Sequence, residues 1–321
     1  MLLSVRNLQT HLHLRRGVLR AVDGVSLDVA EGETLGLVGE SGSGKTMTGL
    51  SLLRLLPKGS GRIAGGSISL DGRELTTLSE SELVREIRGR RIAMIMQDPM
   101  TSLNPVFSIG DQVGNPLRNH DIARGTAVRA AVVDVLRRVR LPSPADRLDD
   151  HPHQFSGGQR QRIVAAMAIG CTPRLLIADE PTTALDVTIQ VQIIGLLRQI
   201  QADTGAGIIL ITHDLGVAAS LCHRIAVMYA GQIVETGPVR RIYRQPAHPY
   251  TRALLEAIPR LGAKRGRLAA IQGQPPSLID PPTGCRFAPR CALRMDKCAE
   301  APPEITLADG HRAACWKLAD A

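Results

Sequence analysis

The chain has 321 residues, of which 44% are hydrophobic and only 2% aromatic, and its formal net charge is +9. This length suits one large or two small domains, and the shortage of aromatic residues requires a mainly aliphatic core. No run approaches the roughly 18 apolar residues of a membrane-spanning helix. No signal-peptide pattern opens the chain, so we expect it to be cytosolic. The basic residues form no stripe interleaved with aromatics, which argues against nucleic-acid binding.

Residues 1–100 are predicted to form short strands around one glycine-rich loop. An apolar strand is expected over Thr34–Val38 and a helix over residues 45–56, because their apolar residues follow the strand and helix periods. Glycine beside aspartate or glutamate marks the predicted turns. These are Val22-Asp23-Gly24, Glu31-Gly32-Glu33 and Leu70-Asp71-Gly72.

The glycine-rich loop has the spacing G-x-x-x-x-G-K-[ST] between a strand and a helix, which is typical of a phosphate-binding loop. Glycines let backbone N–H groups face a phosphate, and the helix N-terminus adds the positive end of its dipole. Lys45 would neutralise the β- and γ-phosphates, and the Thr46 hydroxyl would coordinate Mg²⁺. The predicted loop consists of Gly39, Glu40, Ser41, Gly42, Ser43, Gly44, Lys45 and Thr46.

From about residue 110 to 170 the pattern becomes helical. One apolar face is expected to hold Val128, Ala131, Val132, Val135 and Val139. The prolines of Leu141-Pro142-Ser143-Pro144 are expected to end that helix. Further on, residues 153–162 contain the run Phe155-Ser156-Gly157-Gly158-Gln159. Alone, a glycine pair after serine usually marks only the start of a helix.

Two apolar segments then end in polar residues. Residues 175–178 predict a buried parallel strand with Asp179 and Glu180 at its carboxyl end, where open α/β sheets bind ligands. Asp179 suits Mg²⁺, and Glu180 is placed to act as a general base, a role worth roughly 10²–10⁴-fold in rate. The second strand, residues 207–211, leads to His213, which could contact a γ-phosphate.

In this order the motifs resemble those of ATP-binding-cassette (ABC) ATPases, and the resemblance covers most of residues 1–240. It assigns Gln97 to the Q-loop, with Mg²⁺ contact, and Ala184-Leu185-Asp186 to the D-loop. It implies ATP hydrolysis and an α/β fold: a RecA-like P-loop core with an N-terminal antiparallel β subdomain. A helical subdomain would be inserted at about residues 105–165.

In that family two cassettes enclose two ATP molecules. The resemblance therefore implies that Ser156, Gly157, Gly158 and Gln159 contact the nucleotide held by a partner's phosphate loop. This sequence departs from the family pattern twice. Phe155 replaces the usual leucine and is expected to pack, and Leu12 replaces the usual aromatic adenine platform, which would raise the KM for ATP.

Three further segments resemble the D-type ATPase subunit of dipeptide and oligopeptide importers, a group that includes nickel and glutathione importers. They are residues 98–105, 229–235 and 248–255. The resemblance implies an ABC ATPase domain over residues 1–245 and a small Cys-rich extension over residues 246–321.

The same resemblance implies several partners: a second, paralogous ATPase, two permeases and an extracytoplasmic solute-binding protein. The chain would be peripheral on the cytoplasmic face of the inner membrane. The alternative is a soluble ABC protein of DNA repair or translation. Those proteins normally fuse two cassettes or insert a long coiled coil, and this chain has one cassette and no heptad run.

The six cysteines fall into two groups. Cys171 and Cys222 lie in helical stretches and are expected to be inert core residues. The others lie in a Pro- and Gly-rich segment with few large apolar residues, which is expected to need a disulfide or a bound metal for stability. They are Cys285, Cys291, Cys298 and Cys315.

In a reducing cytosol, these four thiols favour a metal site over disulfides. The gaps of five, six and sixteen residues lack the close pairs of zinc sites. Residues 284–291 resemble the tail of family members that hold a [4Fe–4S] cluster, with zinc and free thiols as alternatives. ATP binding by the cassette is expected to survive loss of the cluster, because the phosphate loop would lie in a separate module.

Overall fold

The computed structural model describes residues 1–97, 102–183, 186–258 and 271–319. Its strands are β1 Leu3–Leu14, β2 Gly17–Val29, β3 Thr34–Val38, β4 Gly61–Leu70, β5 Arg73–Glu74, β6 Ile92–Ile95, β7 Leu175–Asp179, β8 Gly207–Thr212, β9 Arg224–Tyr229, β10 Gln232–Pro238, β11 Glu304–Thr306 and β12 Arg312–Ala314. Its α-helices are α1 Lys45–Leu52, α2 Glu80–Glu82, α3 Ile109–Asn119, α4 Ala127–Arg138, α5 Gly157–Ile169, α6 Val187–Thr204, α7 Leu215–Leu221, α8 Val239–Arg244, α9 Pro249–Glu256 and α10 Trp316–Ala319. Within these ranges, no helix combines the length and apolarity needed to span a membrane.

The chain divides into two compact units. The first comprises Met1–Leu3, Val29–Glu33 and Thr77–Leu210. The second comprises Ser4–Asp28, Thr34–Thr76 and Ile211–Ala321. The C-terminal extension thus belongs to the same unit as the phosphate loop.

The first unit contains neighbouring strands in the order β8-β7-β6. Strands β6 and β7 are parallel, with Ile92 opposite Leu175 and Ile95 opposite Ala178. Every residue of β7 is buried, as expected for a parallel strand covered on both faces. The strand predicted over residues 175–178 is confirmed, with Asp179 as its last residue.

Helices α3, α4 and α5 of this unit pack against one another. The predicted apolar face of α4 is confirmed, because Val128, Val132 and Val135 are buried. The predicted end of this helix is wrong. It stops at Arg138, and Arg140 has a φ of 56°, so the chain leaves the helix through a left-handed residue before it reaches the prolines.

The second unit contains two sets of strands. The N-terminal strands form a sheet in the order β2-β1-β4-β5, and another set has the order β11-β12-β10-β9-β3. Strand β3 pairs parallel with β9. Strand β12, from the extension, pairs antiparallel with β10, with Glu235 opposite Ala313. The extension therefore continues a sheet that contains the strand before the phosphate loop.

The predicted turns have mixed outcomes. Turns occur at Glu31-Gly32 and Asp71-Gly72, but β2 runs unbroken through Asp23 and Gly24. Gly24 has a φ of 88°, and a strand can absorb such a glycine as a local irregularity without reversing direction. Helix α1 ends at Leu52, short of residue 56, because Arg54 takes a left-handed φ of 51°.

Candidate nucleotide-binding site

The phosphate loop joins the buried strand β3 to α1 in the predicted order. Two of its glycines are required by close backbone contacts. A Cβ on Gly39 would lie 2.1 Å from the carbonyl oxygen of Met228, and one on Gly44 would lie 2.3 Å from that of Ala21. Gly44 also has a φ of 105° where α1 begins. A side chain at either position would displace the loop.

Lys45, the first residue of α1, is held across this loop. Its buried ammonium donates hydrogen bonds to the carbonyl oxygens of Gly39, at 2.8 Å, and Glu40, at 2.9 Å. Ser41, Gly42 and Thr46 are partly or largely open to solvent. The arrangement leaves a cation and a helix N-terminus beside an open loop, which suits an anionic phosphate chain.

Glu40 is fixed by two residues from segments that the sequence patterns linked to importers and to a metal cluster, but not to the phosphate loop. Its backbone N–H donates a 2.9 Å hydrogen bond to the phenol oxygen of Tyr250. Its carboxylate accepts hydrogen bonds of 2.7 and 3.1 Å from the guanidinium of Arg290. Both partners lie in the C-terminal extension, so the expected separation between the tail and the phosphate loop is wrong.

The acidic pair lies at the carboxyl end of β7 in the first unit. Asp179 is 1% exposed. Glu180 has a φ of 45°, a left-handed conformation that costs a residue with a Cβ about 1–2 kcal/mol. Such strain is retained mainly at functional sites. The Glu180 carboxylate accepts hydrogen bonds from Thr183 Oγ1 at 2.7 Å and Gln97 Nε2 at 3.4 Å, so the structure brings the predicted base and Gln97 together.

The serine and glycines of residues 155–159 form the start of α5. Ser156 is the N-cap, and its backbone N–H donates to Gln159 Oε1 at 3.0 Å, while its Oγ accepts from the Gln159 N–H at 3.4 Å. Ser156 and Gly157 are exposed. Gly158 is buried, and a Cβ there would lie 3.0 Å from Ile189 on α6. The exposed face of this turn is therefore formed by Ser156 and Gly157.

Phe155 packs as predicted. It is 3% exposed, and the guanidinium of Arg147 lies 4.0 Å from the centre of its ring. Arg147 is in turn bonded to Asp150 at 2.8 Å. The larger aromatic group therefore fits within the first unit and leaves the exposed part of the motif unobstructed.

The other predicted site residues lie at the ends of secondary-structure elements. His213 is exposed, directly after β8, and belongs to the second unit. Asp186 caps α6 by accepting a 3.0 Å hydrogen bond from the Ile189 N–H. Leu12 is half-buried near the end of β1. Ala184, Leu185 and residues 98–101 lie outside the described residues.

The four cysteines of the tail line a single pocket, together with Phe287, Leu293 and Lys317. Burial raises the pKa of the Cys285, Cys291 and Cys315 thiols, and neighbouring thiols of the group add to the shift. In the described part of the chain, however, no three His, Cys, Asp or Glu side chains are arranged to hold a metal ion. The predicted thiols thus surround one pocket, but among the residues that the structure describes they do not form a ready ligand set.

Cys171 is a core residue, as predicted, and the half-buried Cys222 packs against the core. Cys171 is 9% exposed, and burial raises its pKa. Burial also raises the pKa of Cys222 to about 12. Both thiols are therefore kept protonated and unreactive near neutral pH.

Comparisons with known proteins agree with the cassette geometry. The family model for ABC transporters matches residues 22–183, and the one for the oligopeptide/dipeptide transporter C-terminal region matches residues 234–298. A probable peptide ABC transporter ATP-binding protein of Sinorhizobium fredii, y4tR, is 49% identical over 99% of this chain and 95% of its own length. The dipeptide transport ATP-binding protein DppD of Bacillus subtilis is 50% identical over 98% of this chain and 94% of its own.

Solved structures give the same fold. The dimeric, post-hydrolysis structure of the ATP-binding cassette MJ0796, bound to ADP and Pi, covers 74% of this chain and 99% of its own chain, with a TM-score of 0.65 and 26% identity. The predicted ABC cassette fold is thereby confirmed. The chain belongs to the ABC transporter family as an ATP-binding, ATP-hydrolysing subunit, and it carries the C-terminal region of oligopeptide and dipeptide transporters.

Proposed function

We propose that this chain hydrolyses ATP to power the import of dipeptides or oligopeptides through a membrane ABC transporter. The observation that supports this most strongly is the similarity over nearly the whole chain, including the C-terminal region, to proteins named for peptide and dipeptide transport. Import of nickel, glutathione or another small solute by the same motor is the alternative.

ATP binding is assigned to the phosphate loop. Lys45 and the backbone of residues 39–46 would bind the phosphates, because a buried cation and a helix N-terminus converge there. Thr46, Gln97 and Asp179 would hold Mg²⁺, which neutralises phosphate charge when it is bound with ATP. His213 would contact the γ-phosphate.

Glu180 would act as the general base for the attacking water. Its carboxylate is oriented by the Thr183 hydroxyl and the Gln97 amide, which both donate to the same oxygen. A carboxylate held in this way at the end of a buried strand can accept a proton from a bound water. Because Gln97 meets Glu180 directly, movement of the Q-loop would change the position of the base.

The motif at the start of α5 would complete the nucleotide site of a second cassette. Exposure of Ser156 and Gly157 supports this role, since a surface must be open to be used by a partner chain. The partner cassette would be a paralogue. Two permeases and an extracytoplasmic binding protein would complete the transporter, with this chain peripheral at the cytoplasmic face of the inner membrane.

An exposed apolar pair supports docking to a permease. Val106 is 73% exposed and Phe107 is 54% exposed, directly before α3 and shortly after Gln97. Two adjacent apolar side chains open to water could form part of a contact surface. A permease segment bound there would contact this chain shortly after Gln97, the residue that donates to the proposed base.

We also propose that the four tail cysteines hold a [4Fe–4S] cluster as a structural staple. All four thiols line the same pocket. Zinc sites usually contain closely spaced cysteine pairs, which the gaps of five, six and sixteen residues in this tail do not provide. A cubane is larger and accepts wider spacing.

Anaerobic purification tests the cluster. Brown protein with about four irons and four sulfides per chain is expected, and single Cys→Ser changes should bleach it and loosen residues 271–319 first. Colourless protein with one zinc ion per chain would show that the site holds zinc instead of the cluster. Metal-free protein with an ordered tail would refute the site.

The transport function is tested with the intact complex. After gentle detergent purification and identification of every co-purifying subunit, the complex is reconstituted in vesicles with its binding protein. We expect dipeptides or oligopeptides to stimulate ATP hydrolysis and to accumulate inside, with no transport by a Lys45→Ala complex. Stimulation by Ni²⁺ or glutathione alone would favour the alternative, and co-purification with ribosomes or DNA would refute a transport role.

A further inference from the structure

Arg290, a residue of the C-terminal extension, contacts the phosphate loop through two parallel ionic hydrogen bonds. The two terminal nitrogens of Arg290 each donate to one carboxylate oxygen of Glu40, at 2.7 and 3.1 Å. The Arg290 side chain is only 4% exposed, and that of Glu40 is 28% exposed. Two parallel, partly desolvated N–H···O bonds fix orientation as well as distance.

Arg290 is itself rigidly held. Its Nε donates to the carbonyl oxygen of Gln272 at 3.0 Å, and its terminal nitrogens also donate to the Ile271 carbonyl and the Tyr229 hydroxyl, both at 3.3 Å. Together with the bonds to Glu40, all five N–H donors of the guanidinium are used. Hydrogen bonding to Glu40 is the main reason that the pKa of Arg290 is raised.

The backbone around Glu40 is fixed from the same side. Tyr250, whose hydroxyl accepts from the Glu40 N–H, packs against Tyr229 with ring centres 4.5 Å apart. Phe287, three residues before Arg290, lies 5.3 Å from both rings. The segment that carries Arg290 is therefore anchored in an aromatic cluster beneath the loop.

A second arginine of this segment supports the other end of the loop. Arg286 is buried and donates to the Ala230 carbonyl and to Asp23. The next residue, Gly231, donates its N–H to the Ser43 carbonyl at 2.8 Å. Arg286 thus positions the β9–β10 turn, which is hydrogen-bonded to Ser43, while Arg290 positions Glu40.

We propose that Arg290 is a positioning residue for the nucleotide site, which keeps the Glu40 carboxylate neutralised and turned away from the ATP phosphates. Without it, a partly buried carboxylate would lie unpaired in the phosphate loop and repel the polyanionic ligand. ATP affinity then depends on the extension, so the tail is part of the nucleotide site. The inference rests on the ATPase activity of the family and does not depend on which solute is imported.

The test measures ATP binding to the isolated full-length chain by titration calorimetry. Arg290→Ala should weaken binding by about tenfold, comparable to the loss of one hydrogen bond to a charged group. Arg290→Lys keeps the charge without the paired geometry, and its ATP affinity should lie between those of the native chain and Arg290→Ala. Adding Glu40→Gln to Arg290→Ala should restore affinity to within about threefold of the native chain, since the unpaired carboxylate is gone.

Arg241→Ala is the matched control. Arg241 also bonds to a carboxylate of the extension, Asp309, and its remaining side-chain hydrogen bond is to Gln245 rather than to the phosphate loop, so ATP affinity should not change. Hydrogen exchange without nucleotide should accelerate over residues 39–46 in Arg290→Ala and stay native in Arg241→Ala.

Two results would overturn the proposal. The first is native affinity in Arg290→Ala. The second is an affinity loss in Arg290→Ala that Glu40→Gln does not relieve, which would mean that the arginine serves only to hold the fold. Absence of ATP binding by the native chain would instead refute the ATPase assignment.

Discussion

A substitution at Gly157 can test the effect of this chain on ATP hydrolysis by a partner without lowering the stability of the chain itself. Gly157 is the first residue of α5, it is exposed, and a Cβ there would meet no atom within 4 Å. An aspartate at a helix N-terminus is stabilising by about 0.3–1 kcal/mol. We therefore expect Gly157→Asp to leave the isolated chain as stable as the native one or slightly more stable.

The assembled complex should respond in the opposite way. If this turn faces the γ-phosphate held by a partner, the new carboxylate would lie about 4 Å from it. Two like unit charges at that distance repel by about 4 kcal/mol at the effective dielectric constant of a protein surface. That corresponds to roughly a thousandfold loss of ATP hydrolysis at the partner's phosphate loop.

The assay compares thermal unfolding of the isolated chain with ATP turnover by the purified complex in which this chain's own site is disabled by Glu180→Gln. Gly157→Asn is the uncharged control of similar size. Gly158 is unsuitable for this test. Its Cβ would press on Ile189 at 3.0 Å, and such overpacking costs about 1–3 kcal/mol inside the subunit. Full ATPase activity in a Gly157→Asp complex would refute the trans role of the motif.

Three further expectations concern chemistry and assembly. Glu180→Gln should keep ATP binding but lose about 10²–10⁴-fold in turnover in a complex whose partner site is disabled. Near-native turnover there would contradict the role of Glu180 as the base. Lys45→Ala, in contrast, should weaken ATP binding itself. Cys222 should resist alkylation at pH 8 until the chain is unfolded, because burial raises its pKa to about 12 and almost no thiolate exists; rapid native labelling would contradict this. Phe107→Ser should reduce co-purification of the permeases while ATP affinity of the isolated chain stays native, and unchanged assembly would remove this surface from the docking site.

Several parts of the fold were predictable because they depend on residues close in sequence. The apolar run before the phosphate loop predicts β3, and the five-residue strand β7 ends at Asp179, one residue beyond its predicted end. Packing of Phe155 also followed from its apolar character. Errors occurred where single backbone angles decide the outcome, as at Arg140, whose left-handed φ of 56° ends α4 before the prolines.

The sequence alone determined the ATPase family of this protein, because the phosphate loop, the residue run at the start of α5 and the acidic pair are each contiguous, and their chemistry follows from local spacing. Only the tertiary structure decided how the tail relates to that chemistry. Glu40 and Arg290 are 250 positions apart, and β12 reaches β10 only after the long extension has turned back. Pairing of a buried arginine with a loop carboxylate depends on the path of the whole chain, which no local pattern of residues encodes.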